Sequence, residues 1–535
     1  MRGRLPFTVH PSPSRPSRRR GGLVRLAAII ALLLSAACAA GAPADVAAPP
    51  VPSARSRALA DHAVERYADA TIATLADLVA FKTVHVDGIA NADNPEFRAM
   101  TAYLRDKAGG FGFDCSDHGA VVVVGLGDAA DRLGIITHGD VQPADPAKWQ
   151  ADPFTLDADS EPGRLLGRGT EDDKGPIATA LYAMKALRDL ELPLARRIEL
   201  TIIYTEESDW DPIRAFVRDV APPQLNVAID AQYPVVVAEK GWGTIHLSLP
   251  ADADGPPPAD PYLESLSGGA FLAQVPESAT AVIGAATPAI ETWLRQAAEQ
   301  QQAVRVRIER DGDRLTVECT GRSAHSAAPW NGTNAIAHLA ALLAGRSWPD
   351  GAAARMVRLI DDLVGTGDNA EKFGGLAYED PFMGPLTLTL AMLGEVDGRL
   401  AAGLSFRRPI GRSGEAVERS IIDAVEGWKQ RTGTSALQHQ VTVTDPYYLQ
   451  DAPHIPVLLS VFRHYTGAEN AAPASMGGGT NARLFPNGVN FGPAMPGEEY
   501  TGHSEHEFIG RDQLLLNLRM YTAMLAELAG APEGD

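Results

Sequence analysis

Four short apolar runs, each of strand length, constrain this chain more than any other feature: Val121–Val124, Leu133–Ile136, Ile198–Tyr204 and Val227–Ile229. A strand with one wet face alternates apolar and polar residues, whereas runs of this kind are buried on both faces, as in a parallel sheet covered by helices. Between the second and third runs lies Gly175–Leu190, where Ile177, Leu181, Met184 and Leu187 recur at the spacing of a packed helix and Pro176 suits its first turn. Helical spacing also runs from Ser56 to Lys82. The fold class predicted is therefore α/β.

From about Gly241 the texture changes. Alternating stretches (Thr244–Leu249, Val304–Ile308, Leu315–Cys319, Leu386–Leu390, Leu404–Phe406) are joined by Pro/Gly-rich segments, then followed by a helical pattern over Gly414–Thr432 and a strand pattern over Gln438–Val443. This predicts a separate α+β domain. Near Pro446 the α/β character returns, with helices over Ile455–Tyr465 and Arg511–Leu528. The second domain is thus inserted into the first: residues 56–240 and 446–535 form the α/β part, and residues 241–445 the insertion.

Residues 1–25 hold seven Arg and no acid, and Leu26–Ala40 is an apolar run of 15 residues. A membrane-spanning helix needs about 20, so residues 1–38 read as an export signal. Ser35-Ala36-Ala37-Cys38 resembles a bacterial lipobox, although Leu34 sits one place early. That reading implies a lipid anchor on Cys38; cleavage after the small residues would instead release the protein into the periplasm. Both routes export the chain. The Ala/Pro-rich residues 39–55 read as a linker. A net charge of −20 argues against a nucleic-acid partner, and a 45% hydrophobic composition against wholesale disorder. The other cysteines, Cys115 and Cys319, are too few for a zinc cluster or a disulfide framework.

Three of the apolar runs lead directly into side chains of the kind that bind metals. Leu133–Ile136 leads to His138 and Asp140, Ile198–Tyr204 to Glu206 and Glu207, and Val227–Ile229 to Asp230. Ligands of open α/β sheets bind at the carboxyl ends of the strands. A fourth segment, Gly167–Gly175, carries Asp172 into the helix. Taken singly, each has an ordinary reading: a hydrogen-bonded His-x-Asp pair, a solvated Glu-Glu loop, an acidic helix cap. Together they fit a carboxylate-rich site for two divalent ions; mixed His and carboxylate ligands suit zinc, with cobalt or manganese as alternatives. Gly125-Leu126-Gly127-Asp128-Ala129-Ala130 matches a dinucleotide loop, but the next strand follows too soon for the required helix, so it reads as a hairpin.

His138-Gly139-Asp140-Val141-Gln142-Pro143, Gly167-Arg168-Gly169-Thr170-Glu171-Asp172-Asp173-Lys174-Gly175-Pro176, Glu206-Glu207-Ser208-Asp209-Trp210 and Asp230-Ala231-Gln232-Tyr233-Pro234 resemble successive motifs of the di-zinc metallopeptidases. That family includes carnosinases, bacterial broad-specificity dipeptidases, aminoacylases and glutamate carboxypeptidases. Gly477-Gly478-Gly479-Thr480 and Phe491-Gly492-Pro493, leading to His503, continue the resemblance, which spans most of residues 56–530. It implies a zinc-exopeptidase-like catalytic domain with the insertion acting as a lid. His138 and Asp230 would hold one metal, Glu207 and His503 the other, and Asp172 would bridge them. Asp140 would orient His138, and Glu206 would be the general base. Gly321-Arg322-Ser323-Ala324-His325-Ser326 resembles the lid segment whose histidine stabilises the oxyanion. Ser405-Phe406-Arg407-Arg408-Pro409 resembles the lid strand whose arginine meets the substrate carboxylate or the transition state, with Arg407 aligned and Arg408 a neighbouring alternative.

Two departures bear on this. Ala273 stands where such dipeptidases commonly have an Asn, leaving that contact missing or replaced by Gln274. His503-Ser504-Glu505-His506-Glu507 carries a second histidine, so His506 rivals His503 as ligand. The resemblance implies an exported di-zinc dipeptidase taking dipeptides or short peptides, with a long lid that favours a monomer, though dimers occur in the family. Two other readings stand beside it: an N-acyl amino acid amidohydrolase using the same metals, and a non-catalytic peptide-binding lipoprotein.

Overall fold

The computed structural model describes residues 51–252, 258–498 and 500–532. The export signal, Cys38 and most of the linker lie outside the described residues.

Among the described residues, nine strands form one mixed sheet. Its order is Asp114–Asp117, Val121–Leu126, Arg197–Ile203, Arg132–His138, Leu225–Ala228, Gly488–Asn490, Val236–Glu239 and Tyr447–Tyr448, with Ala474–Met476 also paired to Val236–Glu239. The four strands from Arg197–Ile203 to Gly488–Asn490 are parallel. Successive side chains of a strand point to opposite faces, and here both faces are buried. Val122, Val124, Ile135, Ile202 and Val227 join a core with the helices Ala54–Val79, Lys174–Asp189 and Arg511–Ala529. Val121, Val123, Ile136, Ile203 and Ala228 pack on Ile213 of helix Asp211–Val220 and on Ala482 and Phe485. That double burial is why the runs lack alternation, and the α/β expectation holds.

Two local expectations are corrected. Val121–Leu126 and Arg132–His138 do not form a hairpin, because Arg197–Ile203 lies between them, antiparallel to the first and parallel to the second. The segment between them crosses the end of that strand, where Arg197 Nη1 donates to the Gly127 carbonyl at 2.7 Å. A short spacing limits what lies between two strands along the chain, not what inserts between them in the sheet. Second, the first helix begins at Ala54, inside the stretch read as linker. Ser53 caps it, its hydroxyl accepting the Ser56 amide at 3.1 Å.

The second sheet is antiparallel, with eight strands among the described residues: Arg305–Asp311, Arg314–Thr320, Ser278–Gly284, Tyr262–Gly268, Thr387–Val396, Arg399–Arg408, Gly241–Pro250 and Gln438–Val443. Ile245, Leu247 and Leu249 alternate inward onto a core shared with Ile290, Leu294, Ile336, Leu339, Val417, Ile421 and Trp428 of the covering helices. The chain passes between the sheets twice, from Val236–Glu239 into Gly241–Pro250 and from Gln438–Val443 into Tyr447–Tyr448. The crossings are tight: a Cβ on Gly241 would lie 2.3 Å from the Thr444 carbonyl oxygen.

Candidate metal and active site

Arg132–His138, Arg197–Ile203 and Leu225–Ala228 are adjacent parallel strands, so His138, Glu206–Glu207 and Asp230 emerge side by side at their carboxyl ends. Asp172 enters from the turn before helix Lys174–Asp189, and His503 from the segment before strand Phe508–Gly510. The five residues expected to be metal ligands meet here. Asp172 directs one oxygen to each imidazole: Oδ1 lies 2.7 Å from His138 Nε2, and Oδ2 lies 3.0 Å from His503 Nε2. Asp230 Oδ1 is 3.4 Å from His138 Nε2, and Glu207 Oε1 is 2.8 Å from His503 Nε2. The cluster is thus two imidazole–carboxylate groups joined through one carboxylate.

The electrostatics suit cations. Burial alone would lower the His138 pKa, yet Asp230, Asp140 and Asp172 outweigh it and hold the imidazole well above its usual value. His503 is likewise raised against burial by Glu207 and Asp172. Burial lifts Asp230 to about 6, with His138 partly offsetting it. Such imidazole and carboxylate donors fit zinc, cobalt or manganese better than an all-oxygen site would. Ligand atoms of His138, Asp172 and Glu207 all lie within 4.8 Å of one another, as do those of His138, Asp173 and Asp230. Asp173 is already engaged by protein: its Oδ2 accepts from the Thr137 hydroxyl and, at 3.4 Å, from the His138 amide, while Oδ1 is buried without a partner.

Asp140 does more than the His-x-Asp spacing suggests. His138 Nδ1 lies 2.9 Å from the Asp140 carbonyl oxygen and 3.6 Å from its carboxylate. The carboxylate also accepts the amides of Glu206 at 3.2 Å and Glu207 at 2.9 Å, which fixes the start of the Glu-Glu loop. The Glu206 carboxylate makes no hydrogen bond among the described residues, and burial followed by Asp230 raises it well above its usual range. Two contacts had no sequence signal beyond their motif neighbours. Gln142 donates to Glu207 Oε2 at 2.8 Å, and the Tyr500 hydroxyl donates to Asp172 Oδ2 at 2.5 Å.

His325 from the second sheet's domain reaches this centre, its ring 6.1 Å from that of His503. Its Nδ1 accepts the Ala327 amide at 3.1 Å, which assigns the neutral ring's proton to Nε2. The side chain is solvent-exposed, yet desolvation by the surrounding protein, then Arg407 and His503, lower its pKa to about 4. Arg407 donates to Ser326 Oγ at 3.4 Å, next to His325, and its Nε is buried without a partner. Arg408 instead points into the protein, bonded to Asp445 at 2.9 Å. His506 pairs with Glu161 at 2.6 Å, away from the cluster. Gln274 donates to Ser323 Oγ at 2.8 Å, while the Ala273 carbonyl takes the Ser326 amide at 2.8 Å. The Gly477 turn packs against this segment, where a Cβ would come 2.7 Å from the Ala327 carbonyl oxygen.

Residues 134–527 match the family model described as peptidase family M20/M25/M40. The chain belongs to that peptidase family. YtjP of Bacillus subtilis (strain 168) is 31% identical over 408 residues, covering 75% of this chain and 84% of that protein. Beta-Ala-Xaa dipeptidase of Lactobacillus delbrueckii subsp. lactis is 28% identical over 440 residues, 80% of this chain and 89% of its own. The crystal structure of human carnosine dipeptidase 1 shares the fold, with a TM-score of 0.55 at 17% identity over 89% of this chain and 99% of that one. As an M20-type metallopeptidase, the chain has its matched region starting within the strand that ends at His138 and extending past His503.

Proposed function

We propose that this M20-family enzyme is an exported dipeptidase that works with two divalent ions, zinc foremost and cobalt or manganese as alternatives. The observation that carries the reading is Asp172, one carboxylate oxygen on each of two imidazoles that have their own carboxylate partners. His138 and Asp230 would hold one ion, Glu207 and His503 the other, with Asp172 shared. The name of the Lactobacillus relative supports a dipeptide substrate.

Bound ions of this kind acidify a water and polarise the scissile carbonyl. Glu206, whose carboxylate makes no hydrogen bond among the described residues, would take a proton from the attacking water and pass it to the leaving amine. Asp140 holds Glu206 and Glu207 by their amides, so the base and the ligand keep fixed bearings. His325, neutral with its proton on Nε2, donates to the oxyanion. Arg407 meets the substrate's carboxylate, while Ala273 leaves the position of the family Asn without a side-chain amide. Export rests on the sequence of residues 1–38, with Cys38 lipidated or the chain released, and a monomer is the expected assembly.

A panel of dipeptides set against N-acetyl amino acids tests the activity. Dipeptide hydrolysis that needs added metal supports the reading, and turnover of acylated amino acids alone would replace it with a deacylase.

A further inference from the structure

Among the buried carboxylates nearby that the expected ligand set does not use are Glu171 and Glu507. Neither accepts from an imidazole. Each reaches across to the backbone of the other's loop. Glu507 Oε1 accepts the amides of Glu171 at 3.0 Å and Asp172 at 3.1 Å. Its Oε2 accepts the Gly169 amide at 3.0 Å and Arg168 Nη1 at 2.8 Å. Glu171 Oε2 accepts the Thr501 amide at 2.6 Å, the Thr501 hydroxyl at 2.8 Å and the Gly502 amide at 3.1 Å. The turn that carries Asp172 is therefore tied by a residue just after His503. The turn leading into His503 is tied by the residue just before Asp172.

Short backbone pairing sets the two loops in register. Phe508 pairs with Leu166, and the Gly167 amide donates to the Glu507 carbonyl at 3.0 Å. Amides converging on a carboxylate form charge-assisted bonds, which are short and directional. Direction matters at His503, whose φ of 67° lies in the left-handed region that residues with a Cβ seldom adopt. Released from Glu171, the Thr501–Gly502 backbone could relax that angle and swing the imidazole away from Glu207.

We propose that Glu171 and Glu507 are positioning residues, a reciprocal clamp that sets Asp172 and His503 in place before any ion arrives, with Arg168 neutralising Glu507. This rests on the two-ion reading above. Glu171 acts through His503 and so on one ion; Glu507 acts through Asp172, which serves both.

The test is a Co2+ titration of metal-free protein, read by visible absorption and by equilibrium dialysis. Wild type is expected to bind two equivalents. Glu171→Gln, folded by circular dichroism, is expected to weaken one site by about 10- to 100-fold, the usual effect of losing a ligand's outer partner, and to leave the other unchanged. Glu507→Gln weakens both. In a His503→Ala background, Glu171→Gln adds no further loss, because its route to the metal is already gone. Should Glu171→Gln not fold, Thr501→Val, which removes the hydroxyl that bonds Glu171 at 2.8 Å and accepts the Phe508 amide at 3.1 Å but keeps both backbone amides on Glu171, is expected to weaken the same single site by a smaller factor. Unchanged affinities, or an equal loss from Glu171→Gln with and without His503, would overturn the clamp while leaving the two-ion reading intact. Wild type that binds no Co2+ would overturn that reading, and the clamp with it.

Discussion

The candidate site carries more buried negative charge than protein alone would favour, and its partners differ residue by residue. Asp140 accepts two backbone amides as well as facing His138, so Asp140→Asn turns one acceptor into a donor aimed at an amide. Metal affinity is expected to fall by about 10- to 100-fold, with activity recovering at high metal concentration, as measured by activity across a zinc titration. A buried histidine elsewhere carries a pH dependence. His454 lies in the core, its Nε2 3.1 Å from the Asn226 carbonyl oxygen and its Nδ1 without a partner, and burial lowers its pKa to about 4. The folded pKa lies below the unfolded value of about 6.5. The His454 contribution is therefore fully present above that value and is lost as pH falls towards 4, because only the unfolded chain takes up the proton. The loss is of the order of 3 kcal/mol at most. Urea midpoints at pH 7 and pH 4.5 should differ less for His454→Gln than for wild type.

At the scale of elements, the strand runs were legible because burial on both faces removes the polar half of the pattern. Val121–Val124 shows this, with alternate residues on opposite cores. The four segments that carry candidate ligands within the chain's first half were legible too, since parallel strands deliver their carboxyl ends to one place. The order of the sheet was not. Nothing local to Gly125–Ala130 reveals that Arg197–Ile203 lies between its flanking strands. Side-chain direction was equally hidden: Arg407 and Arg408 are adjacent on one strand and so face opposite ways, and only the fold assigns Arg408 to Asp445. Contacts made through backbone amides, such as those of Asp140, Glu171 and Glu507, leave no signature in residue type. The tight crossing at Gly241 gives a prediction at this scale. A side chain there meets the Thr444 carbonyl, which belongs to rigid backbone. Gly241→Val is expected to cost about 1–3 kcal/mol, as overpacking does, seen as a lower melting temperature.

At the scale of the whole molecule, two separately cored sheet domains bring His325 and Arg407 to a centre built by the other domain. The candidate ligands come from both ends of the chain's interrupted α/β sheet region, since His503 lies against Asp172 and Glu207. Ions that bind only the folded chain stabilise it by mass action, by about 4 kcal/mol at a thousandfold excess over Kd. Chelation is therefore expected to lower the melting temperature and abolish hydrolysis, and zinc, cobalt or manganese to restore both. An unchanged melting temperature after complete metal removal would contradict a two-ion centre that ties the halves together.

On the proposed mechanism, Glu206 moves the proton at a centre whose ligands are other residues. The direct measurement is dipeptide turnover by Glu206→Ala at matched metal content. Two ions retained with kcat lower by about 100-fold or more is the expected result, the scale of a lost general base. Turnover within tenfold of wild type at full metal loading would contradict it.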